Sequence, residues 1–250
     1  MPRRIIAFLA VTTLTLFAAF VSSVQAEGVS SACGVVPYSY AGIIGRHATR
    51  GVMATVELTA GPQIVHGHVA AWVGVGGAGS GPGGTNEWLQ VGFAATESAT
   101  TRIYYELAEP NATPRFVTLH GEVAIGQHHR VGVIEMIRRP NWWRIWLDGT
   151  PVTQPIHLRS SHNRWAPVAT SESWNGGVPS CNAFSYRFMN VRSASAGYET
   201  WRPLTNAYRI DAPGYSIRLI AKAGLVVTGG NPLPPAEAPA TAPNPPVVVG

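Results

Sequence analysis

Aspartate is nearly missing from this chain: among 13 acidic residues only Asp148 and Asp211 are aspartates. Asp148 sits in the turn Asp148-Gly149, which leaves no pair for an aspartic dyad. Lysine is rarer still, Lys222 being the only one, and charged residues make up just 12% of the chain. The arginines are scattered, with no basic stripe interleaved with aromatics of the kind a nucleic-acid surface requires, so no nucleic-acid partner is expected. Cysteine is limited to Cys33 and Cys181, too few for a thiolate metal cluster. Neither a G-x-S-x-G elbow nor an H-E-x-x-H helix is present. No window keeps a helical period, and nothing after residue 20 is long and apolar enough to span a bilayer.

Both ends differ from the middle. Residues 1–26 read as a secretory signal peptide: Arg3 and Arg4, an apolar stretch from Ile5 to Phe20, then Val24-Gln25-Ala26 as a small-residue cleavage site. Cleavage there implies a secreted or cell-surface protein with no stable membrane insertion; an uncleaved anchor is the alternative. From Thr228 to Gly250 the chain is rich in proline and alanine and cannot bury enough surface to offset its ordering entropy. It reads as a disordered spacer suited to a cell wall. The remaining domain, residues 27–227, is large enough for one sizeable core and is expected to act as a monomer. Loss of Arg3 and Arg4 takes the formal charge from +5 to +3. In an exported chain an even cysteine count reads as a Cys33–Cys181 disulfide, although two free buried thiols also fit. Such a bridge would stabilise by at most about 4–5 kcal/mol through loop closure.

Dense glycine and proline between short apolar runs predict about ten strands and no helices, hence an all-β, two-sheet sandwich. The candidate strands are 54–59, 68–75, 88–94, 102–107, 115–119, 129–136, 142–147, 166–173, 183–191 and 216–221. Over 142–147 the alternation puts Trp143, Ile145 and Leu147 on one face and Trp142, Arg144 and Trp146 on the other. Asp148-Gly149 then makes a two-residue hairpin turn. Gly76–Gly84, almost without side chains and followed by no helix, reads as a hairpin tip with room to move as a flap.

Few groups remain for chemistry. His66-Gly67-His68 offers two imidazoles from one strand, but no third ligand completes a metal site. No cofactor is expected. Glu57, Glu87, Glu97, Glu109, Glu122, Glu199 and Glu237 lie beside turns or polar residues and read as solvated; Glu135 is expected to face solvent from a half-buried strand. Glu106 follows Tyr104-Tyr105 and is expected to be partly buried. Glu172, in Ala169-Thr170-Ser171-Glu172-Ser173-Trp174, lies among apolar neighbours that favour its protonated form and so proton transfer. Gln90, in Trp88-Leu89-Gln90-Val91-Gly92, shares a face with Trp88 and Gly92; a buried amide can donate to an oxyanion or brace a loop.

Taken together, Trp72-Val73-Gly74-Val75, Leu89-Gln90-Val91-Gly92, Tyr104-Tyr105-Glu106 and the later Glu172 resemble the glutamic peptidases of family G1, the eqolisins. The likeness runs from about Ala54 to Val227. It implies a concanavalin-like two-sheet antiparallel β-sandwich (a jelly roll) and a secreted endopeptidase acting on polypeptide. It further implies a catalytic dyad of Gln90 and Glu172. Glu172 would act as general base on a water and then as general acid, while Gln90 would orient the water and stabilise the oxyanion. Trp72, Tyr104, Glu106 and Trp174 are the substrate-binding side chains it implies. The chain departs from the pattern where Gly76-Gly77 replaces an aspartate, where Tyr104 replaces a tryptophan, and where Leu107-Ala108-Glu109-Pro110 replaces a Trp-Tyr-Pro continuation.

A second reading is a non-catalytic concanavalin-like sandwich that binds glycan or protein at the cell surface. It rests on Trp142, Trp143, Trp146, Trp165, Trp174 and Trp201, whose rings would stack on sugars if exposed. A glycan hydrolase is weaker, since no E-x-D-x-E strand supplies a carboxylate pair.

Overall fold

The structure, a computed structural model, describes residues 38–98, 100–174, 182–195, 200–221 and 223–230. The expected signal peptide, Cys33, Cys181 and most of the Pro/Ala-rich tail lie outside the described residues.

The strands in chain order are β1 (Tyr38–Gly45), β2 (Gly51–Gln63), β3 (His68–Gly77), β4 (Glu87–Thr96), β5 (Arg102–Ala108), β6 (Arg115–Glu122), β7 (His128–Glu135) and β8 (Trp142–Leu147). They continue with β9 (Thr150–Pro151), β10 (Ile156–His157), β11 (Pro167–Trp174), β12 (Ala183–Ala194), β13 (Trp201–Pro203), β14 (Ala207–Asp211), β15 (Tyr215–Ile220) and β16 (Gly224–Gly229). A single 3-10 turn, Pro82–Gly84, is the one helical element among the described residues. The strands form a 7-stranded sheet ordered β14-β1-β11-β3-β4-β5-β6 and a 9-stranded sheet ordered β10-β8-β7-β2-β12-β16-β15, with β13 beside β12 and β9 beside β8. All pairings are antiparallel, and the result is the two-sheet sandwich expected from the residues, in the concanavalin-like form that the resemblance implies.

Alternation decides which side chains meet between the sheets. The first sheet contributes Val69, Ala71, Val73 and Val75 from β3 and Leu89, Val91 and Phe93 from β4. The second contributes Val52, Val56 and Leu58 from β2, Trp143 and Ile145 from β8, and Phe184, Tyr186 and Phe188 from β12. Each buried side chain of this size contributes at most about 1.5–3 kcal/mol of transfer free energy. The predicted hairpin turn is present: Asp148 and Gly149 both have positive φ (49° and 88°), and Leu147 pairs with Thr150.

Two expectations are corrected. Glu87 and Glu135 are both buried, each 1% exposed. Glu87 is in phase with Leu89, Val91 and Phe93, and Glu135 with Val131 and Val133, so strand parity turns both carboxylates inward. Glu87 Oε1 accepts the backbone N–H of Arg159 at 2.9 Å. Glu135 accepts the backbone N–H of Asn141 at 2.7 Å, stands 2.8 Å from His162 Nδ1 and lies 3.6 Å from Arg50. The glycine hairpin tip is anchored: Gly81 N–H donates to Thr85 O at 2.8 Å, Gly79 N–H to Asn86 Oδ1 at 3.2 Å, and Trp165 Nε1–H to Ser80 O at 3.3 Å. β16 extends through Thr228 and Gly229, two residues into the stretch assigned to the tail.

Candidate active site

The face of the seven-stranded sheet turned away from the core carries its own small apolar cluster. Ala70, Ala94 and Tyr104 are buried there, with Trp72 packed on them. Cross-strand register explains why this face can be hollow and still hold large side chains. Trp72 lies opposite Gly92, and Gly74 lies opposite Gln90. A Cβ on Gly92 would stand 2.0 Å from Ala71 O and 2.6 Å from Trp72 Cα. A Cβ on Gly74 would stand 2.9 Å from that of Gln90. The two motifs W-x-G and Q-x-G are therefore reciprocal halves of one device, each glycine clearing the space that the other strand's large side chain needs.

The same register rule brings the distant glutamates onto this face. Glu172 pairs with Ala70 of β3 on one side and Tyr40 of β1 on the other. Gln90 pairs with Glu106 of β5. Glu172 is 5% exposed and Gln90 6%, and both border a cavity of about 820 Å³. Trp72, Trp88, Tyr40 and Phe116 supply aromatic wall; Gly76, Gly77 and Ala78 of the hairpin form part of the rim. The expected pair thus faces one cavity from the strands on either side of β3.

Each member has its own support. Glu172 Oε2 accepts the indole N–H of Trp72 at 2.9 Å, and Oε1 lies 3.0 Å from His68 Nε2. An ionised carboxylate only accepts, so the imidazole supplies the proton of that contact. Gln90 Nε2 donates to Tyr104 Oη at 3.0 Å and to Glu106 Oε2 at 3.2 Å. Of the four residues expected to bind substrate, Trp72 and Glu106 border the cavity. Tyr104 is only 1% exposed, covered by the ring of Phe116 stacked at 4.5 Å, and acts from behind Gln90. Trp174 is half-buried, its ring 5.6 Å from that of His68 and 6.2 Å from that of Tyr38.

Burial, and then the negative charge of Glu172, hold the Glu106 carboxyl above the ordinary glutamate range, against a smaller pull downward from Trp88 and His68. The phenols of Tyr38, Tyr40 and Tyr104 are raised by burial first and by Glu172 after it. This face therefore holds one carboxylate with two donors on it, one carboxyl inclined to keep its proton, and an amide on the strand between them. That is equipment for moving a proton to and from water.

Of the two imidazoles of His66-Gly67-His68, His68 stands beside Glu172, while His66 faces Glu97 at 3.9 Å on the surface. Among the described residues no group of three or more His, Cys, Asp or Glu side chains is placed to hold a metal ion. The signal was present in the sequence, since His68, Ala70, Trp72 and Gly74 alternate onto one face. Of the six tryptophans that supported glycan binding, Trp143 and Trp165 are buried, and Trp142, Trp146, Trp174 and Trp201 are half-buried, so none is an exposed ring.

No family model matches the chain, and no curated protein matches it in sequence. Among solved structures, scytalido-glutamic peptidase with a peptide-based transition-state analogue is similar at a TM-score of 0.57 and 16% identity, covering 78% of this chain and 100% of that one. SCP-B, a member of the eqolisin family bound to the tripeptide Ala-Ile-His, is similar at a TM-score of 0.55 and 16% identity, with 78% and 100% covered. This chain has the fold of the glutamic peptidases, at a sequence distance that makes it a divergent form of that fold.

Proposed function

We propose that this protein is an exported endopeptidase of the glutamic type, cleaving polypeptides with Glu172 and Gln90. The observation that carries the reading is the pairing on one cavity of a buried carboxylate and a buried amide, Glu172 and Gln90, from strands that flank β3. The peptide ligands of the similar structures agree with a polypeptide as substrate.

In this reading Glu172 takes a proton from water as the water oxygen attacks the scissile carbonyl carbon. His68 and Trp72 occupy one lone-pair direction on each carboxylate oxygen, and the other directions are available to the water. The carbonyl oxygen becomes an oxyanion, and Gln90 Nε2–H is its donor. In the resting arrangement both N–H bonds of Gln90 are used, by Tyr104 and Glu106. Protonation of Glu106, which its surroundings favour, weakens its hold as an acceptor and releases one N–H to the oxyanion. Glu172 then returns its proton to the departing amine nitrogen as the C–N bond breaks. Secretion, monomeric action and a spacer role for the Pro/Ala-rich tail belong to the same proposal.

The test is incubation of the purified mature protein with denatured protein from pH 2 to 6, beside Glu172→Gln and Gln90→Ala. Cleavage by wild type and its loss in both variants is the expected result. A fully folded wild type that cleaves nothing at any pH, or a Glu172→Gln variant that cleaves as fast as wild type, defeats the reading.

A further inference from the structure

Glutamate as a general base needs its carboxylate held in one orientation, because rotation about its terminal bond otherwise swings the accepting lone pair away from the water. One donor leaves that rotation open; two donors on different oxygens close it. Here the second donor is His68. Its Nε2 stands 3.0 Å from Glu172 Oε1, on the oxygen that Trp72 does not touch. The ring is itself confined, tilted against Trp174 at 5.6 Å and edge-on to Tyr38 at 6.4 Å.

We infer that His68 is a positioning residue for Glu172: with Trp72 it clamps the two carboxylate oxygens. The inference rests on the peptidase reading above and adds to it a dependence on an imidazole.

The groups around the pair make His68 the basic partner. β1 contributes Tyr38 and Tyr40, β5 contributes Tyr104 and Glu106, and β4 contributes the neutral Gln90. The tyrosines are pushed toward their neutral forms and Glu106 toward its protonated form. Of the nearby charges on its own side, His66 and Glu97 face each other at the surface. None of the groups from β1, β4 and β5 is a base.

The experiment compares wild type, His68→Ala and His68→Gln on a fluorogenic peptide across pH 2–8, with thermal melts to confirm folding. His68→Ala is expected to lower kcat on the order of 10- to 100-fold, as for loss of a hydrogen bond to a charged group, with KM little changed. His68→Gln keeps a neutral donor and is expected to recover part of that loss. Ring nitrogen NMR supplies a readout free of catalysis: a hydrogen-bonded Nε2 proton in wild type that Glu172→Ala abolishes. If His68→Ala does not fold, His68→Gln and the NMR measurement decide.

A His68→Gln enzyme with the wild-type rate overturns the inference and leaves the peptidase reading standing. So does the absence of the Nε2 hydrogen bond in an active wild type. A folded wild type without cleavage at any pH defeats the peptidase reading, and this role with it.

Discussion

Among the described residues, two buried glutamates, Glu135 and Glu172, stand within hydrogen-bonding distance of a histidine, and the proposed function gives them different work. Glu135, between the β7 end and the loop after β10, lies 2.8 Å from His162, 3.6 Å from Arg50 and 2.7 Å from the backbone N–H of Asn141. His162 N–H and Ser161 Oγ–H in turn donate to Asn141 Oδ1, at 2.9 and 3.4 Å, so the cluster stitches a loop to the second sheet. Glu172 has a histidine and an indole, with no arginine among its hydrogen-bonding partners, and it borders a cavity of about 820 Å³ that also holds a second carboxyl, Glu106. The difference teaches what separates a structural carboxylate from a chemical one. A guanidinium, an imidazole and a backbone N–H surround the first, whereas the second keeps free lone pairs and open space for water.

That contrast is sharpest under removal of either carboxylate. Glu172→Gln is expected to lower peptide cleavage by three or more orders of magnitude, in line with the loss of a general base, while urea unfolding moves little. Glu135→Ala is expected to do the reverse. It removes the buried carboxylate that faces Arg50 and His162, at a cost of about 3–5 kcal/mol in chemical denaturation, and the residual folded fraction should cleave at the wild-type rate. Equal effects of the two substitutions on activity would dissolve the distinction.

Next in size is Gln90→Ala, for which kcat should fall about 10²–10³-fold with modest change in KM, as for an oxyanion donor. A pure KM effect would make Gln90 a substrate contact instead. Gly92→Ala probes the packing device beneath the site: its methyl meets Ala71 O and Trp72 Cα, and overpacking of this kind costs about 1–3 kcal/mol. Displacement of Trp72 should lower activity in the same variant, whereas Gly121→Ala, with nothing near its Cβ, is expected to be near neutral in both measurements.

The smallest effect concerns Glu106. Its folded carboxyl is raised, so the native state binds its proton more tightly than the unfolded chain does. Its contribution is therefore fully present below the ordinary glutamate range and is lost as pH rises through the folded value. Glu106→Gln removes that loss. Melting temperatures of variant and wild type should diverge in the variant's favour between pH 4 and pH 7, and a difference independent of pH would argue against the raised carboxyl.

How much of this was legible varies by feature. The ten strands read from alternation are all present, because a half-buried strand writes its period into local composition. β1 escaped because Gly42 interrupts it, and Gly42 is there because a Cβ would stand 2.3 Å from Ala169 O, a contact invisible along the chain. β16 is absent from the predicted strands, because it starts at a glycine and its Thr228-Gly229 end shades into the tail composition. The inward turn of Glu87 and Glu135 could have been read from parity with their apolar neighbours, and was obscured by the usual preference of glutamate for water.

By itself, then, the sequence determined an all-β chain, the W-x-G and Q-x-G spacings, and the identity of the two side chains proposed for catalysis. Those properties depend on period and spacing within short segments. Only the tertiary structure decided that Glu172 meets Trp72 and His68, that Gln90 meets Glu106, and that Glu135 is neutralised in a cluster of its own. Such pairings join residues up to 104 positions apart, and they depend on the order and register in which strands assemble, which no local pattern encodes.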